Sequence, residues 1–188
     1  MVRIRAGLTP TVIVDAALEL VDAGGVEALT LAAVAERCGV AAPSLYKHVS
    51  GLTDLKTLVA ARVLTEQTAE LTAAVVGRSR DEAIEALMWA ARGYVQRYPA
   101  RYAAVPADPL HDPGLAEAGA RLIEVFLAAL RGYGCEGSAA IHATRMLRSI
   151  VHGFCAIEAA GGFGLPQDLD ETFRQLIRMF VDTLGRAS

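Results

Sequence analysis

The chain has 188 residues, 53% of them hydrophobic, and its 18 basic and 21 acidic side chains leave a formal net charge of −3. That length holds one domain, or a small domain joined to a larger one, with apolar residues enough for a sizeable core and a buried interface besides. The balance excludes a generic polycationic binder of nucleic acid, and no uncharged apolar run approaches the roughly 18 residues a membrane helix needs. The amino terminus, MVRIRAGLTP, lacks the apolar core of a secretory leader. Cys38, Cys135 and Cys155 are odd in number, sit on apolar helical faces and show no ligand spacing. They read as buried thiols of a cytoplasmic protein, with a redox role for Cys135 or Cys155 left open.

Taken in chain order, Thr9-Pro10 opens the first predicted helix, an N-cap followed by proline at the first helical position. Ile13, Ala16, Ala17, Leu20 and Val21 form its apolar stripe, and Gly24-Gly25 ends it. The stretch from Leu29 to Val49, LTLAAVAERCGVAAPSLYKHV, then reads as a short helix, a turn at Cys38-Gly39-Val40 and a second short helix. Thr30 is the expected N-cap. Leu31, Val34, Ala35 and Cys38 repeat at helical spacing, with Ala35 small where two helices must cross. Gly39 suits a left-handed turn, and Val40 would plug the gap between the helices. Leu45 and Val49 point inward, which leaves Ser44, Tyr46, Lys47 and His48 outside. The pattern is a helix-turn-helix. Its outer face of hydroxyl, phenol, ammonium and imidazole can meet phosphates and base edges together. A helical hairpin with a merely solvated polar face is the plainer alternative.

Charge supports the first reading. The only two lysines, Lys47 and Lys56, lie in or just after the second motif helix, and Arg3 and Arg5 occupy an N-terminal arm able to reach an adjacent groove. Asp15, Asp22 and Glu27 belong to the supporting helix and its exit loop. A small basic face on an acidic protein should bind weakly alone, so tight binding calls for two such heads.

Beyond the motif the pattern stays helical. A helix from about Thr53 to Val76 links the head to the rest, and another runs from Asp81 to Tyr98. Pro99, Pro106, Pro109 and Pro113 then break any long helix, before three further helical patterns at about Pro113–Gly132, Ser138–Gly161 and Leu169–Gly185. No run alternates with period two, so the chain is all-α. On the penultimate helix Ala143, Leu147, Ile150, Phe154 and Ile157 recur, widened by Ala139, Met146 and Val151. On the last, Leu169, Phe173, Leu176, Ile177, Phe180, Val181 and Leu184 cover an arc broader than one-sided packing uses. Either the helix is wholly buried in its own core, or the pair forms half of an intermolecular four-helix bundle centred near Phe180, the reading favoured by that width.

The run LTLAAVAERCGVAAPSLYKHV, with a capped helix before it and an amphipathic helix after it, resembles the DNA-binding domain of the TetR family of transcriptional regulators. The matching positions include Leu31, Ala35, Gly39, Val40, Leu45, Tyr46 and the His48-Val49 pair. The resemblance implies a three-helix DNA-binding domain over 1–52 and a larger helical effector-binding and dimerisation domain over 53–188. It also implies a two-fold homodimer that sets its recognition helices about one DNA turn, roughly 34–36 Å, apart on a palindromic operator. By resemblance Ala42 and Pro43 come close to the bases, so the expected DNA-binding set is Arg3, Arg5, Thr30, Ala42, Pro43, Ser44, Tyr46, Lys47, His48 and Lys56. Two positions depart from the family pattern. Ala41 stands where a Ser or Thr cap is common, and Gly51-Leu52 replaces the usual Asn-Lys, which removes a phosphate contact. Val151-His152-Gly153-Phe154 resembles the C-terminal domain of a subgroup with a Trp-His-Gly motif, with Val151 in place of the Trp.

No Gly-rich phosphate loop, G-x-S-x-G or H-E-x-x-H occurs, and the histidines fit no metal spacing, so no catalytic residue, metal or cofactor is expected. The material for a pocket is Met88, Trp89, Tyr94, Tyr98, Tyr102, Phe126, Met146, His152 and Phe154, aromatic, apolar and soft. His152 is equally readable as a satisfied core histidine. The expected function is a dimeric repressor that a small apolar or aromatic effector releases from double-stranded DNA. A ligand-binding or interaction protein whose helix-turn-helix-shaped head no longer recognises an operator is the second class these residues allow.

Overall fold

A computed structural model describes residues 7–187, and every regular element among them is helical. The helices are α1 (Pro10–Gly24), α2 (Leu31–Cys38), α3 (Leu52–Val75), α4 (Arg80–Arg97), α5 (Pro99–Ala103), α6 (Ala116–Arg131), α7 (Gly137–Ala159) and α8 (Leu169–Ala187). Short 3₁₀ segments lie at Val26–Ala28, Ala42–Lys47 and Pro109–His111. No described helix is long and apolar enough to cross a membrane. The chain forms two compact units, one reaching Thr65 and taking in Tyr98–Gly119, the other made of Glu66–Arg97 and the chain from Ala120 on.

In the first unit local chemistry starts and stops the helices. The Thr9 hydroxyl accepts from the Val12 N–H at 3.3 Å and caps α1, which buries Ile13, Ala17 and Val21. The Thr30 hydroxyl does the same for α2, accepting from the Ala33 N–H at 3.1 Å. Ahead of α3, the Asp54 carboxylate accepts from both the N–H (2.8 Å) and the hydroxyl (3.1 Å) of Ser50. Prolines divide the later part of this unit as expected, leaving only the five-residue α5 and a 3₁₀ turn at Pro109–His111. Helix α5 is fastened to α1, the Arg101 guanidinium giving two hydrogen bonds to the Asp22 carboxylate at 2.7 and 2.8 Å.

The second unit is built where α4, α7 and α8 pack together. Ile84, Leu87 and Met88 of α4, Leu147 and Phe154 of α7, and Phe173 and Phe180 of α8 are all buried. The broad apolar arcs of the last two helices divide here. Ala143, Leu147, Val151 and Phe154 of α7, with Phe173, Ile177, Phe180 and Leu184 of α8, are spent on the chain's own core. Ile141, Met146 and Ile157 of α7 and Met179 of α8 stay exposed. Phe180, 1% exposed, is therefore a core residue of the single chain and not the centre of an intermolecular face. The arc is thus wider than the part of it that the chain's own core covers.

Candidate nucleic-acid interface and effector region

The turn of the helix-turn-helix is set by backbone chemistry. Gly39, at φ 70°, sends its N–H to the Glu36 carbonyl at 3.0 Å, and the Val40 N–H returns to the Ala35 carbonyl at 3.0 Å. This pair of bonds is a Schellman cap, and it needs a residue at ease in the left-handed region. Beyond the turn the expected second α-helix is a 3₁₀ segment, Ala42–Lys47, with Ser44 N–H to Ala41 C=O and His48 N–H to Leu45 C=O both at 2.8 Å. Ala41 offers no side-chain cap, Pro43 carries no N–H, and six residues allow few four-residue bonds, so the tighter winding prevails.

Of the expected outer face, this segment leaves Tyr46 and Lys47 exposed and Ser44 and His48 half-buried. Leu45 and Val49 are buried and anchor it. Tyr46 is 59% exposed, Pro43 and Lys47 are exposed, and Ala42, Ser44 and His48 are half-buried beside them. Thr30 is exposed but already engaged as the cap of α2, and Lys56 projects from the second turn of α3. Arg3 and Arg5 lie outside the described residues. Among the described residues neither Lys47 nor Lys56 enters an ion pair, whereas Arg37, Arg62 and Arg101 are held by Glu19, Asp15 and Asp22. Among the described residues, Lys47 and Lys56 leave unpaired positive charge beside the motif. Cys38, half-buried at the end of α2, has its thiol pKa pushed up by burial and by Glu19.

Of the residues expected to line one pocket, Trp89 and Phe154 meet around Phe173 and Arg92, and others fall elsewhere. Met88, Tyr94, Phe126 and Phe154 are buried in the second unit, where the Tyr94 phenol donates to Glu66 at 3.2 Å. Trp89 is half-buried, edge-on to Phe173 with centroids 5.1 Å apart. Tyr98 and Tyr102 fall in the first unit, because the chain breaks at Tyr98-Pro99 and α5 docks on α1 instead of continuing α4. Met146 and His152 stand on the exposed face of α7, opposite the Leu147 and Val151 row that meets the core. A cleft of about 410 Å³ in this unit lies elsewhere, lined by Arg80, Asp81, Tyr133, Val181, Asp182 and Gly185. Those residues are mostly polar, and none of them is among the nine expected.

Sequence reasoning passed over the most constrained polar group of this unit. Arg92, 2% exposed, donates to both carboxylate oxygens of Glu158 (2.9 and 2.6 Å) and to Asp170 (2.8 Å). Its guanidinium carbon sits 5.0 to 5.3 Å from the ring centroids of Trp89, Phe154 and Phe173. The hydrogen bonds that Arg92 donates to Glu158 hold the guanidinium pKa above its usual value, and the same bonds hold the Glu158 carboxyl below its own. Cys155, buried nearby, has its thiol pushed up to about 11, chiefly by burial. Gln67 and Thr144 were missed as well. Their signal was available, since each is a lone polar residue in an apolar helical row.

Comparison with known proteins agrees with this geometry. Residues 13–51 match the family described as bacterial regulatory proteins, tetR family, and residues 84–180 match the tetracyclin repressor-like C-terminal domain. The chain is 35% identical to the uncharacterized HTH-type transcriptional regulator YobS of Bacillus subtilis over 96% of its own length and 94% of the relative's. It is also 35% identical to the uncharacterized HTH-type transcriptional regulator Rv0681 of Mycobacterium tuberculosis, over 83% of its own length and 72% of the relative's. Its fold is similar to that of ActR, a TetR family protein of Streptomyces coelicolor solved in complex with (S)-DNPA. The TM-score is 0.75 at 20% identity, covering 97% of this chain and all of that one.

Proposed function

The chain belongs to the TetR family of DNA-binding transcriptional regulators, and we propose that it is a dimeric repressor, released from a palindromic operator by a small, apolar or aromatic effector. The observation that carries this reading is the outward row of Ser44, Tyr46, Lys47 and His48, held on a capped helix-turn-helix with Leu45 and Val49 locked beneath it. The proposed contact set also takes in Ala42, Pro43, Thr30 and Lys56, together with Arg3 and Arg5, which lie outside the described residues. Residues 1–52 are assigned to DNA binding and 53–188 to effector binding and dimerisation. A single head with two unpaired lysines holds DNA weakly, which favours two heads acting at once. The effector half is supported by the related fold of ActR, which was solved in complex with (S)-DNPA. An effector must bind the DNA-releasing shape more tightly by a few kcal/mol for the switch to work.

Gel shifts with duplexes from the DNA flanking the coding region test the reading. Wild-type protein should shift one such duplex, and Lys47→Ala should weaken the complex and lower the salt slope by about one unit, as loss of one phosphate contact does. Tyr46→Ala should weaken it without that change of slope. Unchanged affinity for both variants removes these residues from the interface, and no shifted duplex at all favours a head that has lost its operator.

A further inference from the structure

We infer that the polar cleft of the second unit is a binding site for a small basic amino acid, separate from any site for an apolar effector. Its lining comes from three distant parts of the chain: Arg80 and Asp81 at the start of α4, Tyr133 just after α6, and Val181, Asp182 and Gly185 on α8. All six belong to the second unit. The volume of about 410 Å³ lies within the range of small-molecule pockets, roughly 300–1,000 Å³.

The backbone is strained where the cation of this cleft stands. Among the described residues Arg80, at φ 50°, is the one non-glycine residue in the left-handed region. Glycine or asparagine would hold the same turn with less strain, so the guanidinium is kept there for its chemistry. Gly132 makes room for it, since a Cβ at that position would come within 2.9 Å of the Arg80 nitrogen. The guanidinium lies over the Tyr133 ring, 4.8 Å from its centroid, and donates to the Gly132 carbonyl at 3.3 Å. It has no carboxylate partner among the described residues, although Asp81 is its neighbour in the chain. The Tyr133 phenol takes that carboxylate, donating to it at 2.5 Å. Arg131, Arg174 and Arg178 of the same unit are instead paired, with Glu124 and Glu171.

The lining selects a guest by charge. Asp182 likewise has no ion-pair partner among the described residues, so one guanidinium and two carboxylates border the same space, a formal charge of −1. An inorganic anion would meet one cation and two like charges, and a simple diamine would leave the guanidinium unanswered. A molecule with one carboxylate and two cationic ends, such as lysine or ornithine, answers all three groups. Val181 and the Tyr133 ring line the same cleft and suit the methylene stem between those ends. Gly185 adds no side chain, and a Cβ there would meet nothing within 4 Å, so α8 leaves the space open.

The test is isothermal titration calorimetry of the full chain against L-lysine, L-norleucine and cadaverine. No DNA is present, so the outcome is independent of the regulator reading. L-lysine should bind. Norleucine lacks the side-chain ammonium and cadaverine the carboxylate, and each should bind about tenfold more weakly or worse, as loss of one hydrogen-bonded charge does. Asp182→Asn and Arg80→Asn should lower the affinity for lysine by about the same factor. Asparagine is chosen at the second position because it tolerates left-handed backbone. Gly185→Leu keeps every charged group and brings in a better helix former, so it should fold at least as well while filling the cleft and abolishing binding. Circular dichroism melting checks that the variants stay folded, and should a charge variant unfold, Gly185→Leu decides. Absence of lysine binding at millimolar concentration overturns the inference, as does unchanged binding in Gly185→Leu or in both charge variants. Equal affinity for lysine and cadaverine also overturns it, because the cleft would then be an acidic patch that takes any polycation. Equal affinity for lysine and norleucine overturns it too, since the second carboxylate would then select nothing.

Discussion

Arg92 shows what a single buried charge demands of its surroundings. Its guanidinium is met by a carboxylate from α7, another from α8 and three aromatic rings, so one side chain of α4 fixes the registry of the helices around it. Leaving a buried charge wholly unpaired costs about 3 kcal/mol or more. Glu158→Gln leaves Arg92 the Asp170 carboxylate alone, so it should destabilise the protein by less than that, by about 1–3 kcal/mol at neutral pH, measured by urea unfolding. The pH dependence has a definite sign. The folded-state pKa of Glu158 is depressed by Arg92, so the pair stabilises the fold above the ordinary carboxylate pKa of about 4.3 and loses that contribution as pH falls through the lower folded value. The gap between wild type and Glu158→Gln should hence shrink in strongly acidic solution; a gap independent of pH would mean that Glu158 acts through shape alone. Nothing in the local sequence announces this cluster. Its partners are 66 and 78 residues away, and no spacing rule reaches that far.

At the scale of elements, what was legible was what depends on near neighbours. The caps at Thr9 and Thr30 and the turn at Gly39 follow from bonds spanning three to five residues, and all three stand where the sequence placed them. Thr30→Ala should cost about 1 kcal/mol, read as a lower melting temperature. At Gly39 no atom lies within 4 Å of where a Cβ would stand, so the penalty for substitution is one of backbone alone. Gly39→Val should then destabilise by about 1–2 kcal/mol, with Gly39→Asn recovering most of it because Asn tolerates the left-handed region. Equal melting temperatures for Val and Asn at this position would contradict that account. The 3₁₀ winding at Ala42–Lys47 was not legible, because periodicity over six residues separates the two helix types poorly. The scattering of Tyr98, Tyr102, Met146 and His152 was hidden for another reason. Aromatic and soft residues suit a pocket, a core or an interface equally, and only the chain path distinguishes them.

For the whole molecule the question is what covers the outer side of α7 and α8. A monomer in water would leave Ile141, Met146, Ile157 and Met179 exposed on these two helices, each 45% or more. Their removal from water is worth roughly 25 cal/mol for each Å² of apolar surface, and a stable interface needs about 800 Å² from each partner. Pairing two copies across this side would give the four-helix arrangement the broad arcs suggested, with Met179 in it and Phe180 behind it in the core. The adjacent residues thus separate two effects. Met179→Glu should leave a folded protein that sediments as a monomer at micromolar concentration and binds an operator half-site only weakly. Phe180→Glu should instead unfold the chain, because a carboxylate would enter a core position 1% exposed. Sedimentation velocity together with circular dichroism reads both outcomes. A Met179→Glu protein that remains dimeric would move the interface off this surface, and a well-folded wild-type monomer would remove the dimer, leaving each head to hold DNA alone.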